Sequence, residues 1–407
     1  MQKIILTLKK KYHSNENFRI MSTVLIIWIF SRIIMLLMVP VMNIFADEPH
    51  NIIYYMNPWD AEWYAGIVDG GYCQAKTSSG MANWAFFPLY PIVCTLIKTL
   101  SFGLINTYVI GMMVSNVCII IATFYAVKLL KYECPDYASK WPYLVVLMMA
   151  GPFAFYAGSM YTEALFIMCV VLFFYYAVQQ RFVVAGVWAA LASATRIVGC
   201  TLIAAMIVEM YISRRYRLIE KMDNAENEGL PPIRGMQLFK GTWKMIMSDI
   251  KDVFAIAICP VGIFAYMVYL KFLCGDAWAF YSVQVAWRKE SMFPVIGVLF
   301  KACTGQLGVN YTIMGYYCIA IICLYIYMFM KSHYSMAVFG IISLAVPLTS
   351  HVMSTMRFIM GSFVMYIGVF ELLAKSRKWV RIVVTAGLVI LEIFMIGMWY
   401  FWNALLM

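Results

Sequence analysis

The chain alternates between long apolar stretches and short polar segments, without the strict polar–apolar alternation that a membrane β-barrel would show. Several stretches reach the roughly 20 apolar residues that a helix needs to cross a bilayer. Because lipid offers the backbone no hydrogen-bond partners, such segments are expected to be helical. The pattern predicts an all-α, polytopic transmembrane helical bundle with about eleven spans. The predicted spans are residues 21–45, 107–130, 142–158, 162–180, 183–195, 198–212, 252–274, 311–330, 335–350, 353–374 and 380–402.

The composition supports a membrane protein over a soluble one. Of the 407 residues, 64% are hydrophobic and 13% are charged, whereas soluble domains carry about 25% charged residues. One soluble core could not bury that much apolar surface. The first apolar run, 21–45, is too long for the apolar region of a cleaved signal peptide, so we expect it to remain as a span. We therefore treat residues 1–407 as one integral membrane domain.

The basic residues predict the orientation of the chain. With the N-terminus in the cytoplasm, 22 of the 31 Lys and Arg residues fall on cytoplasmic segments, in agreement with the positive-inside rule. The net charge of +11 thus reflects topology and gives no indication of nucleic-acid binding. Residues 213–251 become a cytoplasmic linker, and residues 46–106 and 275–310 become two extracytoplasmic loops. Both loops are rich in aromatic residues and are predicted to contain helices at the membrane–water interface.

The strongest local signal is the segment Asn57-Pro58-Trp59-Asp60-Ala61-Glu62-Trp63 in the first loop. Pro58 favours a helix start and places Asp60 and Glu62 in the first turn. There a carboxylate interacts favourably with the helix dipole, which is one interpretation of Asp60. The other interpretation is catalytic, because partial desolvation among Trp59 and Trp63 makes a carboxylate a better general base.

Two further loop motifs have both functional and structural interpretations. In Phe86-Phe87-Pro88-Leu89-Tyr90-Pro91, the prolines interrupt a regular helix. The resulting bend could form a groove for an isoprenoid tail, or it could be a simple interfacial turn. In the second loop, Trp287-Arg288-Lys289-Glu290 could contact a diphosphate or a sugar, or it could be a solvated interfacial patch.

Ionisable residues inside predicted spans are costly and are therefore usually functional or paired. Arg196 and Arg357 both fall on the outer side, where an arginine can bind a phosphate bidentately. Each could instead neutralise Asp60 or Glu163 structurally. Glu163 begins a span and could equally be a favourable carboxylate at a helix N-terminus. His351 could assist a phosphate or hold a helix end.

Several function classes are disfavoured by the motifs that the sequence lacks. No Walker loop, GxGxxG or HExxH motif occurs, which argues against a nucleotide-driven pump or a zinc protease. The 11 cysteines stand singly and are interpreted as packing residues, so no metal site is predicted. A carboxylate base facing cations that can hold an anionic leaving group suits glycosyl transfer from a lipid phosphate.

Taken together, these motifs resemble the PIG-V group of mannosyltransferases, which act second in GPI-anchor synthesis, and their bacterial relatives. The resemblance covers about positions 57 to 360. The matching residues are Trp59-Asp60, Trp63, Tyr64, Gly71-Tyr72, Phe86 to Pro91, Ser115-Asn116, Pro152-Phe153, Ser159, Tyr161-Thr162-Glu163, Ala194-Thr195-Arg196, Gly199, Ser354 and Met356-Arg357-Phe358.

The resemblance implies a GT-C fold with its active site in the first extracytoplasmic loop. It implies a polyprenyl- or dolichyl-phosphate mannose donor, a glycolipid or glycan acceptor and inversion at the anomeric carbon, with Asp60 as the base. No cofactor, metal ion or nucleic acid is expected. A bacterial plasma membrane is favoured, or the ER membrane in a eukaryote. The candidate substrate-binding residues are Trp59, Glu62, Trp63, Tyr72, Phe87, Pro88, Tyr161, Glu163, Arg196, His351 and Arg357.

Two other functions are compatible with a polytopic chain. A transporter or flippase for lipid-linked glycans would need polar groups at the bilayer midplane in both halves of the chain. The predicted polar residues gather instead at the outer face, which favours the enzyme. A non-catalytic subunit of a glycan-export complex is the third alternative.

Overall fold

The computed structural model describes residues 15–227, 235–284, 286, 295–349 and 351–406. These residues form helices and connecting segments without any strand. The α-helices are, in chain order, α1 (Glu16–Asn43), α2 (Ile52–Met56), α3 (Asp60–Gly70), α4 (Leu89–Leu100), α5 (Thr107–Glu133), α6 (Pro142–Ala150), α7 (Glu163–Ala177), α8 (Phe182–Thr195), α9 (Leu202–Asn227), α10 (Met236–Ser248), α11 (Ile250–Ile258), α12 (Val261–Cys274), α13 (Ala279–Ser282), α14 (Val295–Cys303), α15 (Val309–Met330), α16 (Tyr334–Leu348), α17 (Thr355–Gly361), α18 (Val364–Lys375) and α19 (Lys378–Tyr400).

Several of these helices are suited to crossing a membrane. Five are long and apolar enough by themselves: α1, α5, the segment Ile197–Lys221, α15 and α19. Two further candidates are bent pairs, α11 with α12 at 47° and α17 with α18 at 74°, which brings the number to seven. The all-α class is confirmed for the described residues, and the five to seven candidate spans are consistent with a multi-pass membrane protein. The count of about eleven spans stays a prediction, because α4, α7, α8 and α16 are apolar but short.

Helix α7 forms the centre of the bundle. Nearly all of its residues are buried, and it packs between α5 and α8. By contrast, only 17% of the apolar window of α1 is buried. Its exposed apolar residues are consistent with a helix that faces lipid tails, which are as apolar as a protein core.

Three breaks in the helices lie at the candidate site. Trp59, with φ of 51°, precedes α3, and Ser354, with φ of 62°, precedes α17. Positive φ is uncommon outside glycine and tends to occur at functional positions. Arg196 is extended between α8 and a short 3₁₀ turn at Ile197–Thr201. Arg196 lies in a break, Asp60 is the first residue of α3, and Arg357 is the third residue of α17, so each lies within one helical turn of a break.

The predicted loops and linker contain regular structure. The first loop, 46–106, holds α2, α3, α4 and a 3₁₀ turn at Asn83–Ala85, so its predicted helical character is confirmed. The linker predicted at 213–251 contains the end of α9 and all of α10. The second loop, 275–310, contains α13 and α14. Its motif Trp287-Arg288-Lys289-Glu290 lies outside the described residues.

Candidate active site

Four charged side chains from distant parts of the sequence meet where the first loop joins the bundle. The Nη1 atom of Arg357 donates to Oδ2 of Asp60 at 2.7 Å, and its Nε atom donates to Oε1 of Glu163 at 2.9 Å. The Nη1 atom of Arg196 donates to the same Glu163 oxygen at 2.5 Å. The structure thus brings together the candidate base and both predicted membrane-depth arginines. We call these four residues the ion cluster.

Exposure differs sharply within the ion cluster. The side chain of Glu163 is 0% exposed, that of Arg357 6% and that of Arg196 9%, whereas the Asp60 side chain is 31% exposed. Asp60 is therefore the member of the cluster that a substrate can reach first. Two carboxylates and two guanidinium groups balance in formal charge, as buried charges must if they are to be tolerated. Both arginines thus make the neutralising contacts that were one of the two sequence-based interpretations.

Aromatic rings surround the buried part of the ion cluster. The Arg357 guanidinium lies 4.5 Å from the centroid of the Tyr161 ring, and that of Arg196 lies 4.6 Å from the Phe358 ring. Cation–π contacts of this kind gain strength when water is excluded. The Tyr161 hydroxyl also donates to the carbonyl of Pro58 at 2.6 Å. Tyr161 therefore links the buried arginine to the backbone just before Asp60.

The turn that precedes Asp60 is held from two sides. The Asn57 side-chain oxygen accepts the N–H of Met160 at 2.7 Å, just ahead of α7. The Trp59 ring packs edge-to-face against Trp399 of α19, with centroids 5.1 Å apart. Because both contacts lie next to Asp60, they fix its position before any substrate arrives, as a functional site requires.

The far end of α3 is anchored by a second polar contact. Oδ1 of Asp69 accepts from Lys98 Nζ at 2.5 Å and from Thr107 Oγ1 at 2.6 Å. Burial alone would raise the pKa of Asp69, but the hydrogen bonds from Lys98 and Thr107 outweigh it and lower the pKa. The contact ties α3 to α4 and α5, so the helix that carries Asp60 is fixed at both ends.

The aromatic residues Tyr72 and Phe87 belong to a separate cluster. The Tyr72 hydroxyl donates to the carbonyl of Phe86 at 2.6 Å. The Phe87 ring lies 5.1 Å from Tyr266 of α12. Trp63 connects the two regions, because its ring stacks on Phe86 at 5.6 Å. Tyr72 and Phe87 therefore join the first loop to α12, and the ion cluster is built from other residues.

The remaining candidates lie at helix ends or on the surface. Glu62 is exposed in the first turn of α3. Pro88 precedes the first residue of α4 and acts as its N-cap residue. His351 accepts the N–H of Met353 through Nδ1 at 3.0 Å, and its ring lies edge-on to Tyr311 at 4.6 Å. This contact matches the interpretation of His351 as a residue that holds a helix end.

A second polar group at span depth was not singled out by the sequence patterns. Glu392 of α19 is buried and accepts the N–H of Phe155 at 2.8 Å. Arg32 of α1, which had no predicted role, donates through Nε to Asn116 at 2.6 Å and interacts electrostatically with Glu392. The available signal for Glu392 was a lone carboxylate inside an apolar run. Its contact stabilises the 3₁₀ turn Ala154–Gly158, which leads to Tyr161.

The geometry limits how the ion cluster can act on a substrate. Arg357 bonds one Asp60 oxygen, Oδ2, and no donor bonds Oδ1 within the described part of the chain. That oxygen can accept a proton. Both arginines are buried and already bonded to carboxylates, so an anionic ligand that takes the Nη1 donor of Arg357 competes with Asp60 for it. Among the described residues, no group of three or more His, Cys, Asp or Glu side chains is placed to hold a metal ion.

Comparison with known proteins adds no family to this geometry. Neither a scan of the chain against protein-family models nor a search of curated proteins finds a match. The resemblance to the PIG-V group therefore stays a prediction that depends on the motifs, and the function is argued from the site.

Proposed function

We propose that this multi-pass membrane protein is a glycosyltransferase. It would move a mannose-like sugar from a polyprenyl- or dolichyl-phosphate donor to a glycolipid or glycan acceptor at the outer face of the membrane. One observation carries the proposal: a partly exposed carboxylate, Asp60, lies 2.7 Å from Arg357 in an otherwise buried ion cluster. A base beside a cation is the pair of groups that this reaction needs.

The proposed reaction is a single displacement with inversion. Oδ1 of Asp60 takes the proton of the acceptor hydroxyl while the acceptor oxygen forms a bond to the anomeric carbon of the sugar. The bond from that carbon to the phosphate oxygen breaks, and the polyprenyl phosphate leaves with the electron pair. The negative charge that develops on the phosphate is what a nearby guanidinium stabilises.

Arg357 is the better candidate of the two arginines for the phosphate. It contacts the exposed carboxylate directly, whereas Arg196 contacts the fully buried Glu163. A phosphate that approaches along Asp60 would exchange with it for the Nη1 donor of Arg357. The exchange would release Asp60 to act as base when the donor is present. Glu163 and Arg196 would keep Arg357 in place throughout.

The finer architecture belongs to the same proposal. We propose a GT-C-like bundle with about eleven spans, a cytoplasmic N-terminus and catalysis in the first extracytoplasmic loop. The placement of Asp60 on a helix of that loop supports this arrangement. The break between α17 and α18 also supports it, because irregular backbone at membrane depth is tolerated where it lines a site.

The direct test is a transfer assay with the purified full chain. Several polyprenyl-phosphate sugars are supplied one at a time with a membrane glycolipid extract as the acceptor. Mass spectrometry then identifies glycosylated lipids and released polyprenyl phosphate. The proposal expects product from at least one donor, with the mannose donor first. No product and no donor consumption across the panel would contradict it.

A flippase for lipid-linked glycans is the alternative that one observation favours. Arg32 and Glu392 lie at span depth in the first and last long helices, as midplane groups of a transporter would. Both, however, are bonded to protein groups, Asn116 and the Phe155 N–H, which supports a structural role. Flipping of a fluorescent polyprenyl-phosphate sugar in proteoliposomes without any sugar transfer would reverse the ranking.

A further inference from the structure

Helix α10 presents three different faces. Thr242 and Ile246 are buried against the bundle. On a neighbouring face, Met236, Phe239 and Met247 form an apolar stripe whose members are between 47% and 65% exposed. Helical spacing at about 100° per residue places these three side chains on one side of the helix. An apolar stripe of this size is unusual on a helix that faces only water.

Basic residues flank the apolar stripe of α10. Lys240 and Lys244 are exposed, one turn apart, and lie beside Met247 and Met236 on the helical wheel. Within the described residues, neither lysine forms an ion pair, and α10 itself contains no acidic residue. The wider segment 213–251 carries eight Lys and Arg residues against five Asp and Glu. The face is therefore positive as well as apolar.

The apolar stripe of α10 continues onto the surface of candidate spans. On one side, Tyr211 in the span Ile197–Lys221 lies 5.9 Å from the ring of Phe239 and 6.0 Å from that of Trp243. On the other side, α11 follows α10 directly and exposes Ile250 and Phe254. Because α11 is half of a candidate bent span, its exposed apolar side chains suit contact with lipid. The apolar stripe of α10 lies next to this surface along the chain.

We propose that α10 lies in the membrane–water interface and binds the headgroups of anionic phospholipids through Lys240 and Lys244. The stripe of Met236, Phe239 and Met247 would enter the acyl boundary, and the two ammonium groups would reach the phosphates above it. An apolar stripe with lysines at its border is the pattern of interfacial helices. Lysines near an anionic leaflet attract it within a Debye length. This inference is independent of the proposed sugar transfer.

Lipid binding by the full chain in mild detergent tests the inference. Native mass spectrometry would measure retained phosphatidylglycerol and phosphatidylcholine for the wild type and for Lys240→Gln/Lys244→Gln. Each lysine removed should weaken phosphatidylglycerol binding about fivefold, so about 25-fold for the pair. Lys76→Gln removes an exposed lysine of the first loop, on the predicted extracytoplasmic side, and should leave the affinity unchanged. Equal affinity in the α10 variant and this control would overturn the proposal.

Two further measurements keep the test decisive if the double variant misfolds. Lys240→Arg/Lys244→Arg retains both charges and should retain phosphatidylglycerol. In the wild type, raising the salt concentration should release phosphatidylglycerol and leave phosphatidylcholine unaffected, because screening weakens ionic contacts. Salt-insensitive, headgroup-independent binding would mean that the stripe simply packs in lipid and that the lysines recognise no anion.

Discussion

Arg357 and Asp60 are separated by 297 positions, yet their side chains are joined by a hydrogen bond of 2.7 Å. The same guanidinium bonds Glu163 through Nε, so its orientation is determined by two carboxylates. One of these carboxylates is buried and the other is partly exposed. Arg357 can therefore keep its buried partner and exchange its exposed partner. This asymmetry is the physical basis of the proposed mechanism.

Replacing Arg357 tests whether it holds the leaving phosphate. Arg357→Ala should weaken binding of the lipid-phosphate donor about 10- to 100-fold, because a hydrogen bond to a charged group contributes about 1.5–3 kcal/mol. Arg357→Lys keeps the positive charge but cannot donate two parallel hydrogen bonds, so donor binding should be weakened less than in Arg357→Ala. The measurement is the KM for the donor in the transfer assay, compared with kcat. Unchanged donor binding in a folded Arg357→Ala protein would assign a structural role to this arginine.

Glu163 is expected to be essential for stability. Glu163→Gln leaves two buried guanidinium groups with one carboxylate, and breaking a buried pair costs about 3–5 kcal/mol. We expect a clear loss of thermal stability in detergent, measured by a thiol-reactive dye or by tryptophan fluorescence. The matched control is Glu62→Gln, also near the start of a helix but exposed, for which the change should be within about 0.5 kcal/mol. Equal unfolding temperatures for the two variants would mean that the ion cluster is more hydrated than the structure indicates.

The sequence predicts the helical class, a helix start near Pro58 with Asp60 and Glu62 in the first turn, and the pairing of the arginines with carboxylates as one of two alternatives. The helix itself, α3, begins at Asp60. Those predictions depend on local rules: apolar runs, helix-start residues and the cost of unpaired charge in lipid. Which carboxylate each arginine meets depends on tertiary packing, because Arg357, Glu163 and Asp60 come from three distant helices. The residue types in the sequence therefore could not show which carboxylate each arginine binds.

The separate location of Tyr72 and Phe87 shows a second limit of sequence-based prediction. Both residues lie in motifs of the first loop, which also holds Asp60, and these motifs predict that they contribute to the same site. Their rings pack against Tyr266 of α12 instead. The role of Glu392 was equally hidden, because its partner, the Phe155 N–H, is a backbone group that no side-chain pattern reveals.

Gly199 should be intolerant of any side chain. A Cβ atom there would lie 2.3 Å from the backbone carbonyl atoms of Ala192 and 2.5 Å from the Ser193 nitrogen. Gly199→Ala must push the 3₁₀ turn away from α8 and shift Arg196, at a cost of about 1–3 kcal/mol. Gly387→Ala is the control, since no atom lies within 4 Å of its added carbon. Gly199→Ala should unfold at a lower temperature than Gly387→Ala. Equal unfolding temperatures would refute the close packing of Gly199 against α8.

The surroundings of His333 predict that the folded protein loses stability at alkaline pH. Burial alone would lower its pKa, but contacts with Glu133 at 2.6 Å and Glu371 at 3.5 Å outweigh it and raise the pKa. Lys375, which bonds Glu371, and Glu209, which interacts with Glu133, are the other charged neighbours. Because the folded-state pKa is raised, the stabilisation is complete below the unfolded value of about 6.5. It disappears as pH rises through the folded-state pKa.

The pH prediction is checked by unfolding the wild type and His333→Asn between pH 6 and pH 9. The wild type should lose stability over this range through loss of the imidazolium. The variant lacks the titrating group and should show a flatter profile. A parallel decline in both proteins would assign the pH dependence to other groups.

The rate of sugar transfer by Asp60→Asn shows whether Asp60 is the base. Asparagine keeps the size and a hydrogen-bond acceptor for Arg357 but cannot take a proton from the acceptor hydroxyl. We expect this variant to fold, insert into the membrane and bind donor, yet to form no product under conditions in which Glu48→Gln, at another exposed carboxylate of the first loop, turns over normally. Turnover by Asp60→Asn at the wild-type rate would contradict this role of Asp60.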